Sequence, residues 1–217
     1  MKKLVIDLGH GGNDPGAVGF GGTKESDVVL SIGKHLENML NEVDLDVKFT
    51  RLSDKYVSLS DRVKIANSYK ADYFLSIHIN SASDKSVRGV EVWMYSDNDK
   101  KLNKFCSDLC EGICGIFNIR NRGLKYSKNF YVLKNTSMKS ALLEVDFISN
   151  ESCEKDLKSE ENIKAISSVI KENILKLYNI EDDKLYKVCI GSYKKKSNAI
   201  NMLNIIKSKG FDDAYIL

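Results

Sequence analysis

Residues 4–17 read LVIDLGHGGNDPGA, and residues 73–80 read YFLSIHIN. Each is a short apolar run followed at once by a histidine. Runs of this length, bounded by turn residues and alternating with helical patterns, read as buried strands of an α/β sheet. In such sheets the site forms beyond the carboxyl ends of the strands. His10 and His78 both lie just after an expected strand, Leu4–Ile6 and Tyr73–Ile77. Further strands are expected at Val47–Thr50, Val90–Tyr95, Phe130–Leu133 and Ala141–Val145. Between them lie helical patterns. Val28, Val29, Ile32, Leu36 and Met39 recur at helical spacing over Glu25–Asn41. Ser58 to Asp61 resembles a capping box that opens a helix to Tyr69. Leu102, Phe105, Leu109 and Ile113 mark a helix over Lys101–Phe117, and Ile163 to Leu177 mark a long one ending near Tyr178. The fold class expected is α/β: a twisted, mostly parallel or mixed sheet flanked by helices.

Two acids complete a chemical set with the histidines. Glu25 opens the first helix, and Glu144 sits inside the apolar run ALLEVDF, residues 141–147. Two histidines and one carboxylate are the donor set of a catalytic zinc that keeps a fourth position open for water. A further carboxylate is the group needed to take a proton from that water. A histidine alone is most often structural. A carboxylate in an apolar strand is costly unless it is paired, metal-linked or catalytic. His35 flanks the apolar face of the first helix with no motif around it, and it is given no role. The glycine-rich loop lacks both the G-x-G-x-x-G order and a P-loop lysine, so a nucleotide site is rejected.

The blocks GHGGNDPGA, KESDV, FTR, SLSDRVKIAN, SIHIN, RGVEVW, FYVLKNTSM and LLEVDFISN occur in this order. Together they closely resemble the zinc-dependent N-acetylmuramoyl-L-alanine amidases, in the branch typified by sporulation and phage-lysis enzymes. The resemblance spans Lys2 to Tyr178. It implies zinc on His10, Glu25 and His78, with Glu144 as the catalytic carboxylate. It also implies a peptidoglycan substrate, cut at the amide between the muramic acid lactyl group and the first L-alanine of the stem peptide. Arg51, Asp61 and Arg62 lie in family-like blocks and are expected to organise the fold more than to touch substrate. Asn80, two residues past His78, is a weak candidate for binding substrate or orienting a ligand, and Arg51 a weaker one. One departure is Lys139, where the family usually has a proline after the methionine.

Two competing functions have specific weaknesses. A zinc peptidase acting within the stem peptide usually carries H-x-x-E, which is absent around His10. A non-catalytic peptidoglycan-binding protein needs neither a metal set nor a buried Glu144.

Composition narrows the partners. With 217 residues and a net charge of +3, the basic residues are interspersed with acids, which excludes a strong nucleic-acid footprint. No apolar run approaches the roughly 20 residues that span a bilayer, so no membrane insertion is expected. Met1 to Lys3 leads straight into the first expected strand, so no signal peptide is expected. The chain is therefore expected to be cytoplasmic when made. It would reach the wall through a pore made by another protein, as an endolysin does. The five cysteines are an odd count. Cys106, Cys110 and Cys114 read as buried thiols of a reduced protein, because structural zinc sites use closer pairs.

The domain division expected is residues 1–178 for the catalytic domain, 179–184 (NIEDDK) for a linker and 185–217 for a small module. The module reads as strand, helix, Gly210 as helix stop, then strand. This resembles one half of a sporulation-related repeat domain, a peptidoglycan-binding fold with two such halves. A homodimer through this module, each chain supplying a half, is the expected assembly.

Overall fold

The computed structural model describes residues 2–97, 99–181, 189–212 and 214–216. They fall into two units, Met1–Glu181 and Asp182–Leu217. In the first, β1 (Lys3–Leu8) is buried from Leu4 onward. Burial on both faces is why a central parallel strand reads as near-continuous apolar sequence. Around it lie β2 (Asp46–Phe49), β3 (Tyr73–Asn80), β4 (Val90–Met94), β5 (Asn121–Tyr126) and β6 (Lys139–Phe147). The order across the sheet is β2-β1-β3-β6-β4-β5. Pairing is parallel except between β4 and β6. The sheet is thus mixed, as expected.

Helices cover both faces. On one, α1 (Glu25–Leu40), α3 (Lys100–Phe117) and α6 (Glu160–Tyr178) close the larger core. On the other, α2 (Leu59–Tyr69) and α4 (Tyr131–Asn135) close a smaller one around Phe74 and Leu142. A short α5 (Glu151–Leu157) precedes α6. Ser58 caps α2 by accepting the Asp61 N–H, and its hydroxyl also donates to the Asp61 carboxylate at 2.6 Å. Cys106, Cys110 and Cys114 are free and buried, and burial pushes the Cys110 thiol up to about 12. They are protonated core side chains, not metal ligands.

Three readings of this unit need correction. Phe130–Leu133 is not a strand but the entry to α4. Val132 and Leu133 are adjacent and both buried in the smaller core. A strand would point them to opposite faces, whereas one helical turn can turn both toward Leu142. The missing strand is β5, whose sequence NRGLKY is half-exposed at the sheet edge and so carries no apolar run. β3 runs on to Asn80, so His78 lies within the strand rather than after it. Lys139 is the first residue of β6, in register with Tyr73. A strand's first position is one that tolerates proline, so either residue suits this place.

In the second unit, α7 (Lys196–Lys207) forms and buries none of its residues. Gly210 follows with φ +95°. The strand expected at Leu185 begins outside the described residues. The strand expected after Gly210 does not form at Phe211, Asp212 or Ala214–Ile216. Strands are stable only with ladder partners and a shared apolar face.

Candidate active site

β1 ends at Leu8, and the chain turns so sharply that His10 adopts φ +59°, a conformation rare outside glycine. The surroundings over-determine it. Arg51 donates to the carbonyls of Leu8, Gly9 and Ser26 at 3.0, 2.7 and 2.9 Å. Arg62 donates to the His10 carbonyl at 2.8 Å and pairs with the buried Asp7 carboxylate at 2.7 Å. Asp7 also accepts from Thr50 and Ser76. Arg51 is fully buried and bonds carbonyls, so it shapes the loop and is out of a substrate's reach. Arg62 organises the fold through an ion pair, as expected. Asp61 acts through its cap.

His78 points from β3 across Gly9. A Cβ on Gly9 would stand 2.3 Å from the His78 ring, so only glycine fits. The two imidazoles meet edge to face, centroids 4.9 Å apart. Glu25, first residue of α1, reaches between them. Its Oε1 lies 3.2 Å from His10 Nε2 and 2.9 Å from His78 Nδ1, and it accepts the Ile79 N–H. Its Oε2 accepts the Ala17 N–H at 2.9 Å. Burial pushes this carboxyl up, but the two imidazoles outweigh that and hold it well below the usual carboxylate range.

The ligand atoms of His10, Glu25 and His78 all lie within 4.8 Å of one another. Two imidazole nitrogens and one carboxylate oxygen so clustered fit a divalent metal of the zinc type with a coordination position left over. Asp14 supports the fit. It accepts from His10 Nδ1 at 2.8 Å, which leaves Nε2 free to ligate.

Glu144 sits on β6 in register with His78 on β3 and with Glu91 on β4. The three side chains form a row on one face of the sheet. Glu144 Oε2 is occluded and has no hydrogen-bond partner. An orphaned buried acceptor costs on the order of 1–3 kcal/mol. Burial, then the charges of Glu25 and Glu91, raise its carboxyl well above the ordinary range. A costly, unpartnered acid beside a metal-type cluster is a candidate for proton transfer.

Glu91 is the residue the sequence reading missed, although it too is an acid in an apolar strand. It is buried and saturated with donors: Asn80 Nδ2 at 2.9 Å, Trp93 Nε1 at 3.0 Å, Arg122 Nε at 2.9 Å and Lys125 Nζ at 3.2 Å. Asn80 therefore serves Glu91 and does not approach the cluster as a ligand. Asp14 was also missed. His35 lies apart, near Glu160.

Residues 4–176 match the family described as N-acetylmuramoyl-L-alanine amidase. The sporulation-specific N-acetylmuramoyl-L-alanine amidase of Bacillus subtilis (strain 168) is 35% identical over 222 residues, covering 100% of this chain and 85% of that protein. The endolysin of Bacillus phage SPP1 is 35% identical over 188 residues, covering 83% of this chain and 68% of that protein. The catalytic domain of CwlV, an N-acetylmuramoyl-L-alanine amidase from Bacillus (Paenibacillus) polymyxa var. colistinus, has a similar structure. Its TM-score is 0.76, at 31% identity over 83% of this chain and 100% of that one.

Proposed function

The chain belongs to the N-acetylmuramoyl-L-alanine amidase family, and from that premise we propose that His10, Glu25 and His78 hold zinc while Glu144 moves the proton. The reaction is hydrolysis of the amide between the muramoyl lactyl group and L-alanine. When bound, zinc supplies Lewis-acid activation of water and of the scissile carbonyl. The Glu144 carboxylate takes the proton of the attacking water and returns it to the leaving alanine nitrogen, so no net proton is consumed at the site. Glu25 and Asp14 fix the two rings. Arg51 and Arg62 hold the His10 turn.

The observation that carries this reading is the orphaned Glu144 Oε2 in register with His78. We expect chelation to abolish cleavage of purified wall and added zinc to restore it, with L-alanine amines released and glycan left intact. Full activity in protein shown to be metal-free would sink the zinc assignment. Release of amines from within the stem peptide instead would mean a peptidase.

The use we propose is wall lysis of the endolysin type, with the enzyme reaching peptidoglycan through a pore made by another protein. The likeness to a phage endolysin supports it. No helix among the described residues is long and apolar enough to cross a membrane. The likeness to the sporulation-specific enzyme runs the length of this chain and favours a second use, in spore formation. Lysis on co-expression with a pore-forming protein, and none without it, supports the first; lysis on expression alone contradicts it. Residues 182–217 we assign to wall binding and to pairing of two chains, on the exposed apolar positions of α7.

A further inference from the structure

Strand β5 carries an irregularity beside the site. Val90 pairs with Asn121, but Glu91 pairs with Gly123, so Arg122 is an extra residue in the ladder. Gly123, at φ +74°, supplies the left-handed turn this needs. In a regular strand Arg122 and Lys125, three apart, would point to opposite faces. Here both reach one atom, Glu91 Oε2, at 2.9 and 3.2 Å. Bulges next to active sites commonly re-aim a side chain in this way. This one turns Arg122 onto the face that carries Glu144.

The charges do not balance. Two cations share one carboxylate, and the other oxygen of Glu91 is taken by Asn80 and Trp93. Glu144, the next acid along the row, pairs with neither cation. Nε alone of the Arg122 guanidinium nitrogens has a partner among the described residues, and the group stacks on the Phe147 ring at 5.0 Å. Its two terminal nitrogens are open, in the fork that suits a carboxylate. Both cations are half-buried, at 26% and 32% side-chain exposure.

We propose that Arg122 and Lys125 form the subsite for the first free carboxylate of the stem peptide, the α-carboxylate of its second residue. This deepens the amidase reading and rests on it. The glycan side of the scissile amide is neutral N-acetylated sugar, so a cationic site points to the peptide side. The spacing agrees. β5 lies two strand spacings from Glu144, about 10 Å. The carboxylate of the second residue lies about 7 Å along an extended peptide from the scissile nitrogen.

The test uses the zinc-loaded full chain and two synthetic muramoyl peptides, one with a free α-carboxylate at the second residue and one with a carboxamide there. We expect kcat/KM to favour the carboxylate by about tenfold or more, the worth of a charge-assisted contact, chiefly through KM. Arg122→Gln and Lys125→Gln should each bring that ratio toward unity, and Arg122→Lys should retain part of it. Where Arg122→Gln lowers Tm, Lys125→Gln carries the decision. Equal cleavage of both substrates by the wild type overturns the subsite. So does a ratio preserved in the variants while both rates fall, because the cations then serve only Glu91. Folded, zinc-loaded wild type that cuts neither substrate overturns the amidase reading itself.

Discussion

At the scale of single residues, the site is a set of costs accepted for chemistry. Glu144 Oε2 is buried without a partner, and His10 sits in the left-handed region. Glu144→Gln should keep the fold and bind zinc as before, since the donor set is untouched. Turnover should fall about 10²–10⁴-fold, the usual worth of general acid–base catalysis. Metal content and kcat on the same preparation check it, and metal loss would make Glu144 a ligand instead. Gly9→Ala tests the packing. Its Cβ would enter the His78 ring, so the ring must move, and zinc affinity should drop at least tenfold, about 1.4 kcal/mol. Unchanged affinity would show that the ring has room. Of the four residues proposed for the chemistry, His10, His78 and Glu144 were legible because each stands in an apolar or glycine-rich setting, whereas Glu25 opens a polar helix start, TKESD, and was singled out with the family-like block around it. Asp14 and Glu91 were not legible as partners. Asp14 reaches His10 only through the glycine turn, and Glu91 reaches Glu144 only through antiparallel register.

At the scale of elements, the loop that delivers Glu25 is tied down from far along the chain. Glu154, on α5, accepts the N–H groups of Gly21 and Thr23 at 2.7 and 3.0 Å, and pairs with Lys158. Desolvation pushes its carboxyl up. The hydrogen bonds from Thr23 and Gly21 outweigh that and bring it from 4.5 down to about 2. A carboxyl lowered in the folded state stabilises above its unfolded pKa and loses that contribution as pH falls through the folded one. Glu154→Gln should therefore lower Tm most at neutral pH, with the gap to wild type narrowing between about pH 4.5 and about pH 2. A gap that stays constant down to about pH 3 would show that charge is not the cause. The pattern behind α1, α3 and α6 was plain in the sequence, because those helices bury one stripe each. β5 was hidden because an edge strand needs no apolar run. α4 was misread because its aromatic and β-branched residues favour strands locally, and only the tertiary packing of Val132 and Leu133 selects the helical turn.

At the scale of the whole molecule, the two units differ in kind. Residues 1–181 hold both apolar cores and every residue assigned to the chemistry. Residues 182–217 hold one described helix, α7, that buries nothing, with Ile200 41% and Ile205 52% exposed and Phe211 60% exposed beyond it. The sequence foretold this helix from its apolar spacing, but the strand expected after Gly210 does not form at Phe211, Asp212 or Ala214–Ile216. Strand formation depends on a partner, and a segment this short carries no signal for where that partner lies. Below about 40 residues a segment rarely folds alone without a disulfide, a metal or oligomerisation. Cys189 is free, so no disulfide staples this one. Pairing between two copies would bury the exposed isoleucines and supply each ladder with a neighbour. A chain ending at Glu181 should accordingly keep the Tm of the catalytic unit and its kcat on soluble muropeptides. It should sediment as a monomer, while the full chain sediments as a dimer at micromolar concentration, and it should bind intact wall at least tenfold more weakly, about 1.4 kcal/mol. A full-length monomer would refute the pairing. Wall affinity unchanged by the deletion would refute the binding role and place retention in residues 1–181.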